Sequence, residues 1–179
     1  MNTTEFLTLS SAIVPDRPAV IFEGKRIAYE TLHDRVNRLA DAFAKLGVEA
    51  GDRIATIQVN CNEHIEAYFA AAMLDAIYVP INFRVKNDEL SFMLKDSAPK
   101  ILLAGGRYYD LVESVTDGVA SLGSLVGLDG PRDSWLSYEG LIQDAGNTER
   151  FPTNDDEDTT IIMFTAGTTG TPKGVMLTH

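Results

Sequence analysis

The chain has 179 residues, of which 45% are hydrophobic, and its mean hydropathy is -0.04. This length and balance are typical of one globular domain with a substantial core, and they exclude a disordered or membrane-embedded chain. A net charge of -11, from 15 Lys and Arg against 26 Asp and Glu, opposes non-specific binding to nucleic acid or anionic lipid.

The N-terminal segment predicts a protein that stays in the cytoplasm. It carries Glu5 and no Lys or Arg before Arg17, so it lacks the positive region of a secretory signal. The longest apolar helical stretch, residues 67–74, is far shorter than the ~20 residues that span a bilayer. The lone Cys61 is predicted to be a structural thiol, because it has no partner for an internal disulfide.

The first predicted elements are a hairpin and an amphipathic helix. Residues 19–29 form two short apolar runs around Gly24, which predicts a β-hairpin. Between residues 29 and 46 the apolar side chains recur at spacings of three and four, which places them on one face of a helix. Gly47 supplies the stop signal for that helix.

Strands and helices alternate in the middle of the chain. Strands are predicted at 52–59, 77–81, 100–105 and 124–129, and helices at 62–74, 87–97 and 108–117. This alternation predicts an α/β fold with right-handed crossovers, a mostly parallel sheet and helices on both faces. A short helix at 138–145, a polar connector at 146–159 and two strands at 160–164 and 175–178 complete the order.

The segment "TAGTTGTPKG", residues 165–174, has the composition of an anion-binding loop. Its glycines allow backbone N–H groups to approach a ligand closely, and successive N–H groups form a concave anion site. The threonine hydroxyls and Lys173 add further donors and a positive charge, which together suit a triphosphate. Composition alone leaves a plain Gly/Thr hairpin loop as an alternative.

A Walker A loop is excluded by the order of the residues. That motif needs Lys directly after Gly and a helix that opens at once. Here Lys173 follows Pro172 and leads into "VMLTH", which predicts a strand. The loop therefore joins two strands.

The segment "FTAGTTGTPKGVMLTH", residues 164–179, resembles the signature of the adenylate-forming enzymes, which include acyl-CoA synthetases and peptide-synthetase adenylation domains. Ala166 departs from the commoner serine. The segments at 26–32, 37–55, 60–82 and 89–104 resemble the N-terminal region of the same family in order, and "VPINFR", residues 79–84, resembles its CoA-ligase branch. Asp75 stands where glycine is usual in the family.

The resemblance implies a two-step reaction. A carboxylate attacks the α-phosphate of Mg-ATP to give an acyl-adenylate and pyrophosphate, and the thiol of CoA then displaces AMP. ATP, Mg2+ and CoA are thus implied, with a fatty acid as the leading substrate class. The residues implied to hold the β- and γ-phosphates are Thr165, Ala166, Gly167, Thr168, Thr169, Gly170 and Lys173.

The resemblance also implies a partial protein. Residues 1–150 would form a subdomain of alternating strands and helices, and residues 151–179 a connector with the phosphate-binding hairpin. The family's adenine-binding, Mg2+-binding and C-terminal lysine segments lie further along, so this chain is expected to be the first part of a large N-terminal AMP-binding domain. No catalytic residue is then expected within it, and the 179 residues alone are expected to be inactive.

Two alternatives to an acyl-CoA ligase remain open from the sequence. One is the adenylation domain of a peptide synthetase, and the other is a nucleotide-binding module without catalysis. The expected partners are a small carboxylic acid, ATP and CoA, with a homo-oligomer possible through the edge strand at 175–178.

The remaining polar candidates favour structural interpretations. The acidic run 155–158 is typical of a solvated loop rather than a metal site. His33 and His64 lie on predicted helices without a metal-ligating partner, and "GGRYYD" at 105–110 lacks the spacing of a dinucleotide-binding loop. Asn82 and Arg84 are interpreted as structural residues at a strand end, and His179 is given no role.

Overall fold

A computed structural model describes residues 2–165 and 172–179 and has the predicted α/β architecture. A seven-stranded sheet carries helices on both faces, and a separate two-stranded hairpin lies beside it. The helices are α1 (Thr3–Ile13), α2 (Tyr29–Lys45), α3 (Asn62–Ala72), α4 (Asn87–Ser97), α5 (Tyr109–Thr116) and α6 (Tyr138–Asp144). The strands are β1 (Pro18–Phe22), β2 (Lys25–Ala28), β3 (Arg53–Ile57), β4 (Ile77–Ile81), β5 (Ile101–Ala104), β6 (Ser124–Gly127), β7 (Leu136–Ser137), β8 (Thr159–Thr165) and β9 (Lys173–Thr178).

The main sheet has the order β7-β6-β5-β3-β4-β8-β9. All neighbours are parallel except β8 and β9, which form an antiparallel pair at one edge. One apolar cluster contains residues of α2, α3 and α6, and a second contains residues of α4 and α5. The sheet therefore separates two helical layers, and alternate residues of each strand enter one layer or the other.

Turn chemistry fixes the ends of the first elements. The β1–β2 turn has positive φ at both central residues, Glu23 at 47° and Gly24 at 80°. That conformation matches the twist of the two strands in a two-residue hairpin. Gly47, at φ 84°, follows α2 in the left-handed region and ends it, as predicted.

A buried ionic network joins three helices of one layer. The Glu66 carboxylate, on α3, accepts hydrogen bonds from Arg35 of α2 at 2.9 and 3.0 Å and from the Tyr138 hydroxyl of α6 at 2.8 Å. Asn62 donates to the same carboxylate at 3.2 Å. Because the glutamate is 0% exposed, the network fixes α6 against the other two helices.

Two elements differ from the sequence predictions. Helix α1 was not predicted; the Asn2 side chain caps it by accepting from the Thr4 backbone N–H at 3.1 Å. Strand β7 was also not predicted, and it pairs with Val126 and Gly127 of β6. The edge strand β9 begins at Lys173, two residues earlier than expected, and all its residues are exposed.

Candidate phosphate-binding site

The predicted phosphate-binding segment lies at the tip of the β8–β9 hairpin. Thr165 is the last residue of β8 and Lys173 the first of β9, and the two are direct partners in the antiparallel register. Both are exposed. The five predicted site residues between them, 166–170, lie outside the described residues.

Lys173 begins strand β9, as predicted, so no helix starts at this lysine. In a Walker A loop, by contrast, a helix opens directly after the lysine and directs the positive end of its dipole at the phosphates.

The hairpin has two different faces. Ile161 packs in the layer of α2 and α3, whereas Ile162 and Phe164 pack in the layer of α4 and α5. Residues directly opposite in an antiparallel pair share a face, so alternation places Thr165 and Lys173 together on the α3 side. The two described ends of the signature thus lie side by side.

Gly174 has a packing role that the sequence did not reveal. It lies opposite Phe164 in β9, and a Cβ there would come within 3.0 Å of Ile162 Cγ2 and 3.5 Å of the Phe164 ring. The sequence interpretation grouped this glycine with those that approach a ligand. The structure instead places it under an aromatic ring on the opposite face from Lys173.

A cavity of about 690 Å³ opens on the α3 side, at the carboxyl ends of β3, β4 and β8. Its walls are mostly apolar and come from β1, β4, β8 and the start of α3. The polar and aromatic residues that line it include Gln58, His64, Tyr78 and Asn82, and β8 contributes Met163 and Phe164. The cavity therefore reaches the strand that leads directly to Thr165.

His64 is a structural histidine in the floor of this cavity. Its Nε2 lies 3.2 Å from the Gln58 carbonyl oxygen, and its Nδ1 lies 2.6 Å from the Tyr78 hydroxyl. Because a carbonyl can only accept, Nε2 carries the proton and Nδ1 accepts from the tyrosine. Burial raises the pKa of Tyr78, which keeps this hydroxyl protonated as the donor. The histidine thus ties α3 to Gln58, just after β3, and to Tyr78, the second residue of β4.

Cys61, beside that histidine, is not a nucleophile at neutral pH. Burial, together with the nearby Glu63, raises the pKa of its thiol to about 12. The thiolate is the reactive form, so the protonated thiol agrees with the predicted structural role.

The crevice between β3 and β5 is filled by the protein itself. After β3 the chain crosses to α3 on one face of the sheet, and after β5 it crosses to α5 on the other face. The crevice between two such strands is where ligands bind in many doubly wound sheets. Here the Gln58 side chain donates to Asp129 at 2.7 Å, and the Gly106 N–H donates to the same carboxylate at 2.9 Å. A Cβ on Gly105 would come within 2.1 Å of Gln58 Nε2. The usual crevice is therefore closed.

The other polar candidates have local partners. Within the acidic run, the Asp155 N–H donates to Asp158 at 2.9 Å and closes a turn. Asn82 accepts from the Arg84 N–H at 2.9 Å, in agreement with a structural role at a strand end. Residues 2–165 and 172–179 contain no group of three or more His, Cys, Asp or Glu that could hold a metal ion. In the same residues no helix is long and apolar enough to cross a bilayer.

The sequence alone did not reveal the side chains that hold the connector before β8. Asp75 accepts from the Thr153 N–H at 2.9 Å and from the Thr153 hydroxyl at 2.7 Å. Asp41 accepts from the Gly146 N–H at 2.9 Å. The only signal for Asp75 was its presence where glycine is usual, and its partner lies 78 residues away.

A family model described as AMP-binding enzyme matches residues 9–179. The chain belongs to the AMP-binding enzyme family. Among curated relatives, a crotonobetaine/carnitine–CoA ligase from Salmonella agona is 33% identical over 94% of this chain, and an indoleacetate–CoA ligase from Aromatoleum aromaticum is 31% identical over 100% of it. The chain spans 35% of the length of each of these two relatives.

A solved structure shares both the fold and part of the sequence of this AMP-binding enzyme chain. A fatty acyl CoA synthetase from Mycobacterium tuberculosis matches 99% of the chain with a TM-score of 0.88 and 28% identity. The match covers 34% of that protein. The resemblance to adenylate-forming enzymes that the signature indicated is thus confirmed at the level of family and fold.

Proposed function

We propose that this chain is the N-terminal part of an ATP-dependent acid–CoA ligase, in which the β8–β9 hairpin holds the β- and γ-phosphates of Mg-ATP. The proposal rests on one observation above all: the family signature lies between two paired strand ends that place Thr165 and Lys173 on one face. Relatives that act as CoA ligases favour this reaction over that of a peptide-synthetase adenylation domain.

The proposed reaction has two steps. A carboxylate oxygen attacks the α-phosphorus, the bond to the β-phosphate oxygen breaks, and pyrophosphate leaves with its charge stabilised by the hairpin. The CoA sulfur then attacks the acyl carbonyl, its thiol proton is lost, the acyl–oxygen bond breaks and AMP leaves. In the first step the ammonium of Lys173 acts electrostatically, on charge that grows on the leaving group.

Mg2+ enters this reaction with ATP as part of the substrate. The described residues supply no carboxylate cluster that could hold the ion on their own. The acid substrate is a carboxylic acid, and its binding would use parts of a ligase beyond these 179 residues. We therefore propose that the chain alone binds phosphates weakly and does not complete the reaction.

Titration of the 19.6 kDa chain with pyrophosphate and with ATP, followed by amide NMR, tests whether the hairpin binds phosphates. We expect both ligands to shift the amides next to Lys173 with a Kd on the order of 1 mM. The affinities should be similar, because the hairpin contacts phosphate and not adenine, and added salt should weaken both.

Lys173→Ala should abolish these shifts, whereas Lys95→Ala, which removes an exposed lysine on α4, should leave them unchanged. In a complete ligase that carries these residues, Lys173→Ala should slow ATP–pyrophosphate exchange about 100-fold. An unchanged exchange rate would remove Lys173 from the mechanism. Tight, adenine-selective binding by the 179 residues would instead identify a self-contained nucleotide-binding module.

A further inference from the structure

We propose that Asp75 is a positioning residue for the β8–β9 hairpin and, through it, for Thr165 and Lys173. The inference rests on the proposed function for its link to phosphate, and on the contacts of Asp75 for its link to the hairpin. Asp75 lies in the turn between α3 and β4, at the opposite end of the sheet from the phosphate-binding tip.

The backbone at Asp75 is the kind that favours glycine. The Ala76 N–H donates to the Ala71 carbonyl at 3.0 Å and the Asp75 N–H donates to the Ala72 carbonyl at 3.2 Å, which is the Schellman pattern at the end of α3. Asp75 occupies the left-handed position of that motif, with φ 56°. A residue with a side chain adopts this backbone conformation at a higher energy than glycine does, and a contact of the Asp75 side chain can offset this cost.

The compensating contact is a carboxylate that binds the connector. Asp75 accepts from the Thr153 N–H at 2.9 and 3.0 Å, from the Thr153 hydroxyl at 2.7 Å and from the Asn154 N–H at 3.2 Å. Bonds to an ionised carboxylate are stronger than those between neutral groups. This carboxylate therefore fixes the backbone five and six residues before β8 begins at Thr159.

The hairpin joins the sheet through β8, because β9 is the edge strand and its partner is β8. Strand β8 runs parallel to β4, with Ile161 opposite Tyr78. Asp75 stands two residues before β4, and so it holds the chain entering β8 next to the strand with which β8 must align. A second contact lies at the same open end of the hairpin, just after β9, where His179 Nδ1 is 3.0 Å from the Thr3 hydroxyl.

The test compares Asp75→Gly, Asp75→Asn and a matched control, Glu23→Gly, in the 179-residue chain. Glu23, in the β1–β2 turn, is an acid at positive φ like Asp75, although Glu23 is exposed and Asp75 is half-buried. Within the described residues no hydrogen bond joins Glu23 to the connector. Hydrogen exchange measures the opening of β8, and pyrophosphate titration measures the phosphate site. Thermal unfolding reports overall stability separately.

We expect Asp75→Gly to accelerate exchange of the β8 amides about tenfold, while exchange in α2 and α3 stays unchanged. Glycine relieves the strain at the turn, so overall stability should change little although the hairpin is released. Pyrophosphate should bind severalfold more weakly. Asp75→Asn keeps one acceptor oxygen and tolerates the left-handed backbone, so it should lie between the wild type and Asp75→Gly, and Glu23→Gly should match the wild type.

Wild-type exchange rates in β8 of Asp75→Gly would overturn the positioning role. Faster exchange with unaltered pyrophosphate affinity would overturn the link from Asp75 to the phosphate site. If Asp75→Gly accelerates exchange in β8 but the wild-type chain binds no pyrophosphate, the contact between Asp75 and the hairpin is supported and the proposed function is rejected.

Discussion

Replacement of Glu66 by Ala would test whether the buried ionic network holds α6 in place. The carboxylate is 0% exposed and accepts from Arg35, Tyr138 and Asn62. Each of these donors loses its buried acceptor in the variant. The Tyr138 hydroxyl is affected most, because its residue is only 1% exposed and water cannot easily replace the lost acceptor.

The expected loss of stability is about 3–4 kcal/mol. Removal of one partner of a buried ion pair costs about 3–5 kcal/mol. The lower end applies to Arg35, since its side chain is 21% exposed and keeps a second partner, Glu139, at 2.6 Å. An unsatisfied buried hydroxyl adds about 1 kcal/mol. With a urea m-value of about 2 kcal/mol/M, the midpoint should fall by about 1.5–2 M.

Urea unfolding followed by circular dichroism and by the fluorescence of the single tryptophan, Trp135, measures this effect. Tyr138→Phe should cost about 1 kcal/mol, because Glu66 keeps its other donors. The double variant should cost less than the sum of the two single changes, since both remove the same hydrogen bond.

Glu139→Gln is the matched control for the Glu66 experiment. Its carboxylate also binds Arg35, but the side chain is 50% exposed, so its loss should cost less than about 1 kcal/mol. If Glu66→Ala unfolds within 1 kcal/mol of the wild type, or no earlier than Glu139→Gln, the network does not contribute as argued.

Two further predictions concern single contacts. The hydrogen bond from Lys45, with those from Gly146 and Arg150, holds the pKa of Asp41 below its usual value. The ionised Asp41 therefore stabilises the folded chain above about pH 4, and this contribution is lost as pH falls through the lowered pKa. Asp41→Asn should therefore lose less stability than the wild type between pH 5 and 3, as urea midpoints at each pH would reveal; parallel pH profiles would contradict this. Gly105→Ala should expel the Gln58 side chain and lower the free energy of unfolding by about 1 kcal/mol. In a Gln58→Ala background the same change should cost almost nothing. Equal costs in the two backgrounds would contradict the close packing of Gly105 against Gln58.

The parts of the fold that followed from sequence are those in which local pattern and tertiary packing agree. Helix α2 repeats apolar residues at helical spacing and ends at a glycine, and β4 is a β-branched run of strand length. Helix α4 has the predicted bounds, 87–97, because Glu89 reaches back to the Lys86 N–H at 3.0 Å and starts the helix there. In such elements the signal and the stabilising contact lie within a few residues of each other.

The missed elements depend on contacts that are distant in sequence or weakly patterned. Helix α1 has a capping residue, Asn2, but Phe6, Leu9 and Ile13 remain exposed, so its apolar residues do not mark the buried face. Strand β7 has two residues and exists only because it pairs with β6. No local pattern could predict either element with its correct packing.

The candidate site also has one part that the sequence predicted and one part that it could not predict. The signature predicts that Thr165 and Lys173 contact phosphate, because it is the order of residues in such a loop that carries the signal; this stays a prediction. The contact between Asp75 and Thr153 was not predictable, since a carboxylate that binds a distant backbone N–H has no periodicity and no fixed spacing. The resemblance to the family marked Asp75 only as a departure, and the geometry supplies its physical reason.

The distribution of charge is compatible with the proposed phosphate site on an acidic chain. Some of its acids have partners inside the protein: Glu66 pairs with Arg35, Asp41 pairs with Lys45 and Arg150, and Asp75 accepts hydrogen bonds from backbone N–H groups. Exposed acids further than about 8 Å from a ligand are screened at physiological ionic strength. Lys173, by contrast, forms no ion pair with any described residue, so its charge stays available at the start of β9. The net charge of -11 therefore opposes long-range attraction of anions without preventing a short-range phosphate contact at this position.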